Sequence, residues 1–431
     1  MIESMRLERF KNFQDATLTL GPLSILIGAN ASGKSNIRDA FLFLHGIGRG
    51  YSLAEILGEK YVGGERVWGG IRGGIREVAY WGLNSFSLAT RLRITSQSLK
   101  PPGPHLLNYR IEVFVAVPRM RLPSKEPPRI DGESLNYADR FGFQIKERID
   151  KNTVKVVFQR EKGIRGQYPP SRVYISGIPI VYQVSEDNEQ KSRVARAFSR
   201  AVIQELESFR VLDLSPTQMR TPSLPGLTTL GDRGENLSSV LAAICEDSSK
   251  KETLLEWVRK LTPMDVDDLL FDQDVAGRIL LRLKEKNGRN ISALSASDGT
   301  LRFLGILAAL FGPTPASFYF IEELENGIHP TRLSLLVDLI ESQTKRRDIQ
   351  VVATSHSPQL LQFLSKESLE HASLVYRLPD HPDARIKRIV DIPDARRVIQ
   401  EQPVSVLHAS SWFEDVLDFV EDEEAEPVAR T

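Results

Sequence analysis

Near the start of the chain, Gly28-Ala29-Asn30-Ala31-Ser32-Gly33-Lys34-Ser35 has the spacing of a phosphate-binding loop. Glycines let the backbone turn so that successive N–H groups close into a nest around anionic oxygens at a helix N-terminus. In that chemistry Lys34 neutralises the outer phosphates and the Ser35 hydroxyl is a magnesium ligand. The plainer alternative is a glycine-rich turn that caps a helix. Further on, the apolar run Phe318-Tyr319-Phe320-Ile321 ends in Glu322-Glu323. Neighbours on a strand face opposite ways, so one acid can serve a magnesium shell while the other polarises a water. Alone, the pair is equally a strand running out into solvent. The apolar run Ile349 to Thr354 ends at Ser355-His356-Ser357-Pro358, which puts His356 where parallel α/β sheets bind ligands, although a lone histidine is more often structural. Ser297-Asp298-Gly299-Thr300 precedes the apolar stretch Leu301 to Phe311 and reads as a helix N-cap, whose amides could also face an anion.

The elements that must carry these residues follow from periodicity. Met5–Phe10 and Ala16–Leu20 alternate with period two and suggest a hairpin with Lys11-Asn12 at its turn. Leu23–Ile27 is a buried strand, followed by the glycine loop and a helix from Lys34 to about Leu44. From about Glu77 to Gln159 the chain reads as β-rich, with strands at Phe86–Ile94, Tyr109–Val117 and Val154–Phe158 and proline-rich links such as Pro101–Pro104. About Asn188 to Leu261 reads as helical. After Asn290 the pattern becomes helix 301–311, strand 317–321, helix 330–343, strand 349–354 and helix 358–364, which is α/β with parallel strands. Glu414 to Glu426 carries eight acidic residues and reads as a solvated tail that Trp412, Phe413 and Phe419 could dock.

A chain of 431 residues exceeds one ordinary domain, so two domains or one with a large insertion are expected. Lys plus Arg and Asp plus Glu are 56 each, and this balance demands neither nucleic acid nor an anionic membrane as partner. The apolar run Phe303–Phe311 is nine residues against the roughly 20 of a bilayer span, so no membrane segment is expected. Cys245 is the only cysteine, which excludes an intrachain disulfide and a cysteine-based zinc site. With no secretory pattern at Met1–Arg6, a cytoplasmic location is the expectation.

In this order and at these separations the four pieces resemble the ABC-type ATPase heads of the SMC and RecF superfamily. Gly28–Ser35 looks like Walker A, Ser297–Thr300 like the signature motif, Glu322-Glu323 like the end of Walker B and His356 like the switch histidine. Arg6–Phe13 is similar to the opening strand and turn of such heads. Within the superfamily the chain is most similar to predicted bacterial ATPases of the overcoming-lysogenisation-defect type and to ATPase subunits of anti-phage systems. That likeness rests on Glu322–Pro330, Thr354–Pro358 and Phe209–Pro216, and covers residues 1–75 and 205–365. It implies an α/β P-loop head with a mixed β-rich N-terminal lobe and an inserted α/β-to-helical lobe. The expected divisions are 1–95 with Walker A, 96–290 as the inserted lobe, 291–380 as the second half of the head, and 381–431 as an extension.

The resemblance also implies ATP and Mg2+, held by Asn30, Gly33, Lys34 and Ser35 from one protomer and by Ser297 and Gly299 from a second. Ser35 and Glu322 would ligate the metal, Glu323 would orient or deprotonate the attacking water, and His356 would steady the γ-phosphate. In the same likeness Asn326 and His329 fall in the D-loop, which contacts the opposite site. Three departures stand out. Glu322 replaces the aspartate usual in transporters, Asp298 replaces a common glycine, and no residue is placed as the Q-loop glutamine. The span between Lys34 and Glu322 is too long for a transporter subunit and too broken by proline for the arms of chromosome-organising ATPases. An ATPase that dimerises around ATP and regulates a separate effector is therefore expected, with a RecF-like repair ATPase as the alternative. For the alternative, Arg193, Arg196 and Arg200 with Lys191 nearby could meet DNA phosphates, or could form a solvated face.

Overall fold

Phe318-Tyr319-Phe320-Ile321 has no charged side chain, and in the computed structural model it is a strand buried on both faces. Phe318 and Phe320 enter one core, and Tyr319 and Ile321 another. Such a strand must lie inside a layered α/β structure. The structure describes residues 1–96, 103–115, 127–137, 141–148, 153–159, 171–174, 193–378 and 381–392. The acidic stretch Glu414–Glu426, with Trp412 and Phe413, lies outside them.

The strand sits in a six-stranded sheet of spatial order Phe209–Leu212, Phe318–Ile321, Gln350–Ser355, Leu23–Ile27, Ser373–Arg377, Ala384–Arg388. The first five are mutually parallel and the last is antiparallel. The residues after Leu212, Ile321, Ser355 and Ile27 therefore emerge along one carboxyl edge, and they are Asp213, Glu322, His356 and Gly28. One face of this sheet is covered by the helices Leu237–Cys245, Ser248–Leu261, Asp298–Phe311 and Pro330–Arg347. The other face meets the helix Lys34–Gly48. Phe41 of that helix lies against Phe318, Phe320 and Phe209, with ring centroids 4.7, 5.6 and 6.4 Å away. Phe43 points the opposite way, 5.4 Å from Phe86 and edge-on to it. Truncating either ring would cost about 3–5 kcal/mol.

Phe86 belongs to an eight-stranded antiparallel sheet. Its order is Ser171–Tyr174, Thr153–Gln159, Phe141–Arg148, Arg129–Tyr137, Gly103–Phe114, Ser85–Ser96, Ile2–Phe10, Phe13–Thr19. The Lys34–Gly48 helix is thus clamped between two sheets, and the glycine loop at its start is anchored on both sides. The fold is the α/β head with a β-rich lobe that the residues implied. The hairpin of Ser85–Ser96 with Gly103–Phe114 carries the chain across residue 95 within one sheet.

Three local differences have physical causes. Within the stretch read as helical, Phe209–Leu212 is an edge strand of the parallel sheet, because its buried Phe209, Val211 and Leu212 can pack against Phe318–Ile321 in parallel register while Arg210 stays half-buried. Residues 266–292 form a small antiparallel sheet of Val266–Gln273, Ile279–Glu285 and Asn290–Ser292, not part of a helical lobe. Pro358–Phe363 is a 3₁₀-helix.

A single side chain ties the two sheets at their amino ends. Gln350 is 1% exposed, accepts from the Ile2 N–H at 2.8 Å, and donates to the carbonyls of Ile2 and Gly21 at 2.7 and 2.9 Å. Gln350→Leu leaves three backbone groups unpaired, and its midpoint in urea denaturation should drop, corresponding to a loss of about 2–4 kcal/mol.

Candidate functional site

Leu23–Ile27 delivers the loop, and Gly33 turns it into the helix with φ of 120°, a conformation closed to residues with a Cβ. Lys34 begins the helix and is 6% exposed. Its Nζ donates to the carbonyls of Gly28 and Ala29 at 2.6 and 2.7 Å and lies 3.3 Å from His356 Nδ1. Burial pushes the Lys34 ammonium down to about 8, against the pull of Glu325, Glu323 and Glu322. Asn30 stands exposed on the loop and Ser35 is half-buried at the first helical turn. Ser32 Oγ is buried in the loop with no hydrogen-bond partner. An orphaned hydroxyl beside an amide nest and a buried ammonium is the donor set a polyphosphate needs, so the residues fit that ligand.

The other acids converge from the neighbouring strands. His356 Nδ1 is 3.2 Å from the Gly28 carbonyl, and its Nε2 is 3.4 Å from Glu323 Oε1. Its backbone N–H donates to Glu325 Oε1 at 2.7 Å. Glu323 has φ of 51°. A carboxylate residue in this left-handed region must be held there. Thr354 does so: its Oγ1 accepts the Glu323 N–H at 3.0 Å and its carbonyl accepts from Leu324 at 3.0 Å. Asn326 Nδ2 donates to Glu323 Oε2 at 3.1 Å. Glu322 faces the loop helix, where Arg38 Nε lies 3.2 Å from its Oε2. Among the described residues no group of three or more His, Cys, Asp or Glu could by itself hold a metal ion. A magnesium site here would rest on Ser35 and Glu322, completed by phosphate oxygens and water, which suits an ion that keeps much of its hydration.

Ser297 and Gly299 are not part of this cluster. They line a separate cleft of about 420 Å³ with Thr262, His329, Thr331 and Arg332. Ser297 caps the helix Asp298–Phe311 by accepting from the Thr300 N–H at 3.2 Å. A Cβ on Gly299 would stand 2.1 Å from the Gly327 carbonyl, so only glycine lets this turn pack on the loop after Glu323. Asn326 thus sits at the acidic cluster, while His329 caps the helix Pro330–Arg347 on the cleft side.

Several residues in the site were given no role from the sequence. Arg38 contacts Glu322, Glu325 fixes the His356 backbone, and Thr354 fixes Glu323. Asp39 is fully buried and meets Lys11 Nζ at 2.7 Å and Arg72 Nε at 3.2 Å, while Arg72 also donates to the Ser35 carbonyl. Nothing in local spacing pairs positions so far apart; Glu325 and Thr354 stood only within the quoted runs Glu322–Pro330 and Thr354–Pro358, with no role given to either. Of the basic stripe, Arg196 is half-buried and Arg200 exposed, whereas Lys191 and the Arg193 side chain lie outside what is described. Cys245 is a half-buried thiol packed against the core, pushed up to about 11 by desolvation. Among the described residues no helix is long and apolar enough to cross a membrane.

Comparison with known proteins bears on the whole arrangement. An "ATP/GTP phosphatase" of Helicobacter pylori is 21% identical over 372 residues, covering 85% of this chain and 88% of that protein. The chain is also similar to the crystal structure of the SmcHead bound to the C-winged helix domain of ScpA, at 13% identity and TM-score 0.47, covering 90% of this chain and 96% of that one. The SMC head domain from Thermotoga maritima is 13% identical with TM-score 0.39, over 90% of this chain and 98% of that one. The family model described as "AAA domain, putative AbiEii toxin, Type IV TA system" matches residues 23–362, from the strand before the glycine loop to the turn after His356. That match takes in well over half of the chain, and the protein belongs to this AAA family.

Proposed function

We propose that the protein binds and hydrolyses ATP, dimerises around it, and regulates or scaffolds a separate effector, a nuclease or toxin, in a bacterial anti-phage defence complex. The observation that carries this reading is the meeting of Lys34 and His356 at the Gly28 carbonyl, with Glu323 on the far side of the His356 ring and Glu322 next to Glu323 in the chain. The family's description as a toxin–antitoxin component and the H. pylori relative's name support the defence role and the hydrolysis respectively.

In this reading the loop amides, Asn30, Gly33 and Ser32 Oγ take the phosphates, and Lys34 exchanges two carbonyl acceptors for phosphate oxygens. Mg2+, when bound by Ser35 and Glu322, supplies neutralisation of phosphate charge. Glu322 has Arg38 to release as it turns to that task. Glu323, aimed by Thr354 and Asn326, accepts the proton of the attacking water, and His356 steadies the γ-phosphate next to it. Ser297 and Gly299, on their separate cleft, serve the nucleotide of a second copy. Within residues 96–290 we assign effector contact to the strands between Gly103 and Tyr174, since Phe209–Leu212 and the helices Leu237–Cys245 and Ser248–Leu261 complete the ATPase head formed by 1–95 and 291–380. The extension 381–431 begins with the head's edge strand Ala384–Arg388.

Lys34→Ala should abolish binding of a fluorescent ATP analogue. Glu323→Gln should keep binding and accumulate an ATP-dependent dimer; light scattering that finds the same mass with and without ATP would sink the sandwich. The pH response follows from Lys34. Its value near 8 lies below the usual 10.5, so between these limits ATP binding must take up a proton. Affinity should be flat below about pH 8 and fall by up to about tenfold per pH unit above it. Lys34→Arg, whose guanidinium stays charged, should show no such fall if it binds at all.

A further inference from the structure

Asp298 puts a carboxylate inside the turn that, in the reading above, must approach a phosphate of the second copy. An uncompensated negative charge there opposes the very contact the turn is to make. The structure holds a specific answer. Arg220, brought in from beyond the edge strand Phe209–Leu212, donates from one Nη2 to Asp298 Oδ1 at 2.7 Å and to the Ala296 carbonyl at 2.8 Å. Its backbone is fixed beside the signature helix by the preceding residue. Met219 is fully buried on Gly305, where even a Cβ would come within 2.4 Å of the Met219 Cε. The guanidinium therefore reaches the turn from a rigid base and grips it on both sides of Ser297.

We infer that Arg220 is a positioning residue for the signature turn: it neutralises Asp298 and fixes the Ala296–Asp298 backbone so that Ser297 and Gly299 can receive an anionic phosphate from a second copy. This rests on the ATP-sandwich reading. The role is not chiefly one of fold stability. The Asp298 side chain is 68% exposed and Arg220 27%, and ion pairs this open add little to folding. What the pair changes is the net charge of a surface that meets phosphate, where the effect is felt only on association. No family glycine at 298 would need such a partner, so Arg220 and Asp298 form a unit whose members should be removable together.

The test measures ATP-driven dimerisation in the Glu323→Gln background by sedimentation velocity, with thermal unfolding as a control. Arg220→Ala should weaken the ATP-bound dimer by about tenfold, since two turns per dimer each lose a modest interaction. Its melting temperature should stay close to the parent's. Adding Asp298→Gly to Arg220→Ala should restore dimerisation to within about threefold of the parent, a rescue that a merely structural arginine would not permit. Arg220→Ala dimerising as tightly as a dimerising parent would overturn this inference alone, as would a double variant no better than Arg220→Ala. A parent that stays monomeric with ATP would overturn the sandwich reading and this inference with it.

Discussion

A buried ammonium has to be surrounded by acceptors, and the organisation of this protein follows from how Lys34 is provided for. The side chain is 6% exposed, and taking it out of water disfavours its charge. Two carbonyls of its own loop and the field of Glu322, Glu323 and Glu325 offset that cost. No local sequence could supply all of these groups. They come together because parallel strands from residues 23–27, 318–321 and 350–355 end along one edge, where Gly28, Glu322 and His356 follow them. The same parallel order obliges both faces of the sheet to be covered, which is why the loop helix and the helix Asp298–Phe311 lie on opposite sides.

The charged residues around the loop helix extend this constraint into the β-rich lobe. Asp39, fully buried one turn beyond Ser35, receives Lys11 from the first hairpin turn and Arg72 from the segment after the Glu65–Trp68 strand. A buried carboxylate loses several kcal/mol if its partners leave, so these ion pairs tie the lobe's position to the loop's. Arg72 also bonds the Ser35 carbonyl, which places the metal-ligand candidate on the same network. The loop helix is therefore held by aromatic packing along its length and by charge at its first turns, with Asp39 and Phe43 four residues apart on one face and Phe41 on the other.

What could be read from the sequence and what could not divide along a physical line. Strand 23–27, the loop, the helix from Lys34, and the strands bearing Glu322 and His356 all follow from runs of consecutive residues, and they are present. Phe209–Leu212 was hidden between helices because a run of four residues is too short for a period to distinguish strand from helix. The three strands between 266 and 292 were absorbed into an expected helical lobe although Gly277 and Asn287-Gly288 mark both of their turns, a hairpin signal legible in the sequence. Pairings with a distant partner left no trace: Thr354 under Glu323, Arg38 on Glu322 and Arg220 on Asp298 are separated by 31, 284 and 78 positions. Spacing rules reach across one helix turn or one strand pair, whereas these contacts depend on which strands become neighbours.

The two departures at charged motif positions, Glu322 for aspartate and Asp298 for glycine, illustrate the point most directly. Each adds length or charge to the site, and each is met by an arginine from another element, Arg38 and Arg220. An arginine is suited to both because its charge is permanent and its several donors can hold a carboxylate in one direction while reaching a second acceptor, as Arg220 reaches Ala296. The pairs differ in what they face. Arg38 is 17% exposed and lies against the loop helix, where it competes with any cation that seeks Glu322. Arg220 lies on the outer cleft, where only a second molecule can profit from the neutralised charge. Substituted acids that would each weaken a phosphate site when taken singly are thereby made compatible with one, through contacts that exist only once the parallel sheet has assembled.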